Sequence, residues 1–260
     1  MSRNPSGCDR RGPDAGVLAA FELSGRPRWL AGDGGGVWRV GRAILRQGEP
    51  DDPRALWQAE LYADLGQDGF RVPRPLRDRD GGWMGPAGWT AETLLDGRPP
   101  RIADVPACIA AIRAYHRALA PTPNPGWLDT GSAWNRADAA CWGEPPTGPR
   151  GTGLDDLLSP LWARWEPLEL LPRQIIHGDL HHSNLLVLPS EPVGIIDLAP
   201  YWGSADFALA MFANWVGPRR GRVNLLAYFA DVPEFPQLLL RASIRMLLVI
   251  VVSAGIKVGQ

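Results

Sequence analysis

The sequence predicts an α+β chain in two lobes, a small antiparallel sheet with one helix followed by a mostly helical half. Three observations carry this reading. The first 95 residues alternate short apolar runs with glycine turns. From Ile102 onward apolar residues recur at steps of three and four. Between two apolar strand-like runs lies a polar loop, His177 to Asn184.

The elements follow in order. Pro13 to Leu23 reads as a short helix with Val17, Leu18, Ala20 and Phe21 on its apolar side. Arg26 to Ala31 reads as a strand, followed by the glycine cluster Gly32-Asp33-Gly34-Gly35-Gly36. Val37 to Val40 and Ala43 to Arg46 read as two strands joined at Gly41-Arg42, which completes an antiparallel meander. Asp51, Asp52 and Pro53 form a helix start, and Arg54 to Leu65 presents Leu56, Ala59 and Ala63 on one face. Strands are expected near Arg74 to Arg77 and Trp89 to Leu95.

The join between the lobes falls at Asp96 to Pro100, giving an N-terminal lobe over 1–95 and a helical lobe over 96–260. Ile102, Val105, Ile109, Ile112, His116 and Leu119 mark a helix on which His116 reads as a packed core or boundary residue. Pro121 to Gly153, rich in Pro, Gly and Trp, reads as a long irregular connection, and Leu154 to Trp165 as a helix. Gln174 to Ile176, Leu185 to Leu188 and Val193 to Ile196 read as short strands. Ser204 to Val216, Val223 to Phe229 and Phe235 to Ile256 read as helices. Arg241 and Arg245 interrupt the last of these, which argues for a buried helix rather than a membrane span.

Composition bounds the function. With 45% hydrophobic and 21% charged residues the chain has enough apolar material for a core. A net charge of −1 argues against a nucleic-acid binder. Three scattered cysteines form no C-x-x-C pair, so neither a disulfide framework nor a structural zinc site is expected. The first sixteen residues are polar, so no secretory leader is expected and a cytoplasmic location is the default. Of 27 basic residues one is lysine, Lys257, which places every other cationic role on arginine.

The chemistry concentrates in His177-Gly178-Asp179-Leu180-His181-His182-Ser183-Asn184 and, thirteen residues on, Asp197 after Ile195-Ile196. An Asp and an Asn five apart, with a further Asp at the end of the next hairpin, are oxygen ligands of the kind that suit magnesium beside phosphates. The four-residue spacing of His177 and His181 invites a zinc reading. A zincin, however, needs H-E-x-x-H on a helix, and here Gly178 and Asp179 lie between.

The pattern H-G-D-x-H-x-x-N followed by I-I-D resembles the aminoglycoside phosphotransferase and choline kinase families, whose fold is protein-kinase-like. The resemblance covers most of the chain. Pro200-Tyr201-Trp202 just after Asp197 looks like a branch apart from the antibiotic-resistance enzymes. The resemblance implies an ATP- and Mg2+-dependent transfer of a γ-phosphate to a hydroxyl of a small molecule, with GTP left open as donor. It implies Asp179 as the base at the acceptor hydroxyl, with His177 bracing the loop and His181 at a position often filled by His. Asn184 and Asp197 would hold the metal, and Gly32, Gly34, Gly35 and Gly36 would cover the nucleotide phosphates. No nucleic-acid or membrane partner is implied, and oligomeric state has no signature in the sequence.

One departure matters. Where the family carries a lysine on the third strand, this chain reads Ala43-Ile44-Leu45-Arg46, with Glu60 on the following helix as the natural partner. Arg46 can fork onto a carboxylate or phosphate, but it is longer and planar. An alternative reading is therefore a catalytically weak or inactive nucleotide-binding pseudokinase module. For the acceptor, Asp138, Glu144, Asp155, Asp156 and Asp206 read either as attractors of a cationic substrate or as solvated surface, while Trp202 and Trp215 stand near Asp197.

Overall fold

The computed structural model describes residues 12–30, 36–128, 133–145, 154–169, 171–216 and 225–253. The chain divides into two compact units, one of residues 1–67 and 71–97, the other of 68–70 and 98–260.

The first unit is a five-stranded antiparallel sheet in the order β1-β2-β3-β5-β4: β1 (Arg28–Leu30), β2 (Val37–Val40), β3 (Ala43–Gln47), β4 (Pro75–Leu76) and β5 (Trp89–Thr93). Strand side chains alternate, so β3 sends Ala43 and Leu45 to one face and Ile44 and Arg46 to the other. The first face closes on helix α1 (Ala15–Ala20): Val17, Phe21, Val40, Ala43, Leu45, Trp89 and Ala91 form one buried cluster. The second face looks toward helix α2 (Pro53–Asp64), and Ile44, Arg46, Thr90 and Glu92 line a cavity of about 180 Å3 with Ala55, Gln58, Ala59 and Tyr62. Asp52 caps α2 by accepting the Arg54 N–H at 3.0 Å, and Pro53 takes the first helical turn, where no N–H is needed. The Arg74 guanidinium closes the other end on the carbonyls of Tyr62 and Ala63, at 2.5 and 3.1 Å. Gly88 adopts φ +76° where a Cβ would meet the Gly48 carbonyl at 2.3 Å, so β5 starts at a position only glycine can hold.

The second unit is helical around two short antiparallel strand pairs. Helix α3 (Val105–Leu119) buries Cys108, Ile109, Ile112, Tyr115, His116 and Leu119 along one side. Strand β6 (Gln174–His177) pairs antiparallel with β9 (Pro200–Gly203), and β7 (Leu185–Leu186) with β8 (Gly194–Ile195). Helix α6 (Ala205–Val216) is buried over most of its length, and α7 (Phe235–Ser253) packs against both it and α4 (Ala133–Trp142). Helix α5 (Asp155–Trp162) carries Pro160 and ends shortly after it.

Two expectations are corrected. Residues 121–153 are not wholly irregular, because α4 forms inside them. Its buried side is Ala137, Asp138 and Cys141, and the acid in the middle hides the apolar periodicity. Strand β9 also has no counterpart in the expected strands. Four residues beginning with proline are too few to show alternation, and it is pairing with β6 that makes them a strand. Among the described residues no helix is long and apolar enough to cross a membrane.

Candidate active site

The loop after β6 is held from inside the second unit. His116, on α3, is 1% exposed, and its Nδ1 lies 2.7 Å from the Ile112 carbonyl. Its Nε2 accepts the backbone N–H of His177 at 3.2 Å. That pattern assigns the proton of His116 to Nδ1. His177 uses the opposite tautomer: Nδ1 accepts the Asp179 N–H at 3.2 Å, and Nε2–H donates to the Ile196 carbonyl at 3.0 Å. Burial holds both imidazoles neutral, pushing His116 down to about 4 and His177 below its ordinary value. One buried ring thus ties the backbone of Asp179 to the residue before Asp197.

The loop itself is closely fitted. Gly178 donates to the Ala199 carbonyl at 2.7 Å, and a Cβ at 178 would come within 3.0 Å of the Tyr201 Cβ. A side chain there would push the loop off β9. His181 starts the short turn His182–Asn184, its Nδ1 accepting the Ser183 N–H at 3.2 Å. That leaves Nε2 as the protonated nitrogen, 3.5 Å from Asp179 Oδ2. Burial opposes ionisation of Asp179, but the neighbouring His181, with smaller contributions from His177 and then Arg245, outweighs it and holds the carboxyl below the usual carboxylate range.

Asn184 is buried, and its Nδ2 donates to the Asp179 carbonyl at 2.9 Å. That bond fixes the amide and leaves Oδ1 as an oxygen donor. The Asn184 carbonyl accepts the Ile196 N–H at 3.0 Å, so Asn184 and Asp197 stand at the same end of the β7–β8 hairpin. Asp197 is exposed and adopts φ +56°. An amide oxygen and a carboxylate are hard donors that fit a magnesium ion better than a soft metal.

The structure therefore brings Asp179, His177, His181, Asn184 and the backbone leading to Asp197 together. The first unit differs from expectation. Arg46 Nη2 lies 3.2 Å from Glu92 Oε1, so the acid that reaches it comes from the neighbouring strand β5, whereas Glu60 is exposed on α2. The register explains this: Glu92 faces Ile44 across β3–β5, two residues from Arg46 and on the same side. Gly36 is partly buried just before β2, and Gly32, Gly34 and Gly35 lie outside the described residues.

Two residues do more than the sequence suggests, His116 while lying in the core as expected. His116 is a hydrogen-bonding brace of the loop rather than packing alone. Its signal was a lone polar side chain on the buried face of α3. Asp138 is no attractor of cations: it is 3% exposed and hydrogen-bonded to Arg245 of α7. The ring of Trp215 lies 5.2 Å from that of His181, while Trp202 lines a separate cavity.

Comparisons with known proteins bear on the family and the fold. The profile of the phosphotransferase enzyme family (APH) matches residues 24–242. A homoserine kinase of Gluconacetobacter diazotrophicus is 32% identical over 175 residues, 60% of this chain. The match spans only about half (51%) of that curated relative's length. Amicoumacin kinase hAmiN, solved with AMP-PNP and Ca2+, superposes with a TM-score of 0.63 at 14% identity, over 87% of this chain and 81% of that one. Aminoglycoside 2′-phosphotransferase-IIIa, solved with GDP, gives 0.59 at 13% identity, over 91% and 88%. At such identities these two matches speak for a shared kinase-like fold.

Proposed function

Because the chain belongs to the phosphotransferase enzyme family, we propose that it transfers the terminal phosphoryl group of a nucleoside triphosphate to a hydroxyl of a small molecule. The observation that carries the reading is the placement of the Asp179 carboxyl, 3.5 Å from His181 Nε2 on a loop whose backbone His177 and Asn184 hold in place. The acceptor hydroxyl donates to this carboxylate. As its oxygen bonds to the γ-phosphorus, the bond to the β–γ bridging oxygen breaks and the nucleoside diphosphate leaves. The proton passes to Asp179 and then to solvent.

Asn184 Oδ1 and the Asp197 carboxylate are the proposed holders of Mg2+. When bound, the ion neutralises phosphate charge. His177 and His116 act as positioning residues. Residues 1–95 are the proposed nucleotide-binding lobe, with Gly32, Gly34, Gly35, Gly36 and Arg46 for the phosphates, and 96–260 the lobe of the catalytic loop. ATP is the proposed donor. AMP-PNP and GDP in the structural relatives keep both purines in the test. The proposed acceptor class is a hydroxylated small molecule, a reading supported by relatives named for homoserine and amicoumacin kinase.

A second reading is favoured by Arg46. Fixed by Glu92 on the same sheet, it stands where the family carries lysine, which suits a module that binds nucleotide and transfers slowly. Incubation with labelled ATP or GTP, Mg2+ and a panel of homoserine, amino alcohols and aminoglycosides is the test. Asp179→Asn should lower turnover by about 10²- to 10⁴-fold while keeping the thermal shift given by Mg-nucleotide. Undiminished turnover in that variant would sink the assignment of the base. A nucleotide shift without turnover in the native chain would favour the module.

A further inference from the structure

The second unit holds a cavity of about 620 Å3, within the range of small-molecule sites, and Asp179 is not among its lining residues. Its walls are Trp142, Trp165, Tyr201 and Trp202, with Arg173 and Arg241 between them. Aromatic walls of this kind take a flat apolar body.

Two buried donors on the walls lack an acceptor among the described residues. Arg241 is 1% exposed, and among the described residues its guanidinium meets neutral oxygens and the faces of Trp142 and Trp165 but no carboxylate. Nη1 donates to the Gln237 side chain at 2.8 Å and Nη2 to the Glu166 carbonyl at 2.6 Å. Its Nε is buried and unpartnered among the described residues, and so is Trp165 Nε1. Both are donors. The Trp165 ring lies 4.9 Å from the Arg241 guanidinium carbon. Arg173 donates to the Trp202 carbonyl at 2.7 Å and meets no carboxylate among the described residues. The two acids on the lining do not offset this: Asp138 is committed to Arg245, and Glu169 is exposed. Loss of hydration at Arg241 lowers its pKa, as expected of a buried cation without a counter-charge. A buried guanidinium without an acid and a neighbouring indole N–H without an acceptor both call for an acceptor oxygen, and the uncompensated charge of the guanidinium favours an anionic one.

We propose that this cavity binds a small molecule with a flat aromatic or heteroaromatic body and an anionic oxygen group, the body lying among the tryptophans and the anion at the Arg241 and Arg173 end. This departs from the cationic ligand that the acids of the sequence suggest. The proposal is read by binding alone, so it stands or falls separately from phosphoryl transfer.

The test is a charge series on one ring: 3-(hydroxymethyl)benzoate, its phosphonate counterpart, the neutral benzamide and the cationic benzylamine. Each is titrated without nucleotide and followed by tryptophan fluorescence and calorimetry. At least one of the two anions should bind about tenfold or more tighter than the amide, with the amine weakest, and the two anions show which oxyanion fits. Arg241→Gln, checked for folding by circular dichroism, should remove the preference for the anion and leave amide binding unchanged. Trp165→Phe, which keeps a ring and deletes the N–H, should weaken the anion selectively. Amine binding as tight as either anion's, absence of binding by all four, or an intact anion preference in folded Arg241→Gln would each overturn the proposal.

Discussion

His116 and His177 share one hydrogen bond, backbone N–H of the second to Nε2 of the first at 3.2 Å, and through it α3 sets the position of the loop after β6. Both rings are buried and neutral in the fold. The unfolded chain binds protons on them near their ordinary value of 6.5, whereas folded His116 waits until about 4. Between these values the unfolded state holds more protons, so stability rises with pH across that window and falls as pH drops through it. His116 alone accounts for a loss of about 3 kcal/mol between pH 7 and pH 4. Urea unfolding at pH 7, 6, 5 and 4 measures it. His116→Leu should flatten part of the slope and lower stability at pH 7 by about 1–3 kcal/mol, because it leaves the His177 N–H unpaired.

Asp138 and Arg245 join α4 to α7 in a buried pair. Asp138→Asn leaves the guanidinium without its counter-charge and should cost about 3–5 kcal/mol, whereas replacing both residues by leucine should cost much less. Thermal unfolding of the two variants beside the native chain decides it. Equal losses would mean that shape rather than charge compensation holds the helices.

Arg46 and Glu92 give a graded prediction. The pair is partly exposed, so Glu92→Gln should change stability by less than about 1 kcal/mol. If Arg46 meets the phosphates as proposed, Arg46→Met should raise the nucleotide KM about tenfold through loss of a charge-assisted bond. Arg46→Lys should raise kcat if the module reading is right and lower it if the arginine is matched to its place.

Cys108 and Cys141 are buried, and loss of hydration pushes Cys108 up to about 12 and Cys141 higher still. Neither thiol should react with a disulfide reagent at pH 8 in the folded protein, and both should react in urea. Rapid labelling of either in native buffer would contradict the packing around α3 or α4.

What could be read from the chain depended on how local each cause was. Strands β2 and β3, the proline start of α2 and the stripe of α3 follow from neighbours within a few residues, and they appear where periodicity puts them. The loop from His177 to Asn184 was legible because its residue types sit in fixed order. The partner of Arg46 was not: the choice of Glu92 over Glu60 rests on a register across 46 residues of chain. Helix α4 and strand β9 owe their existence to α7 and β6, far away in sequence. His116 looked like packing because its bond is to a backbone N–H 61 residues on, a donor with no sequence signature.

Asp197 is one of the few residues other than glycine with a left-handed backbone, at φ +56°. Such a conformation costs an L-residue about 1–2 kcal/mol, a cost glycine escapes. If Asp197 holds the metal as proposed, Asp197→Gly should relieve that backbone cost while weakening the Mg2+-dependent thermal shift, which thermal unfolding with and without Mg-nucleotide measures. The proposed role would then explain why an L-residue is kept where glycine fits the backbone better, with robustness and activity pulling residue 197 in opposite directions.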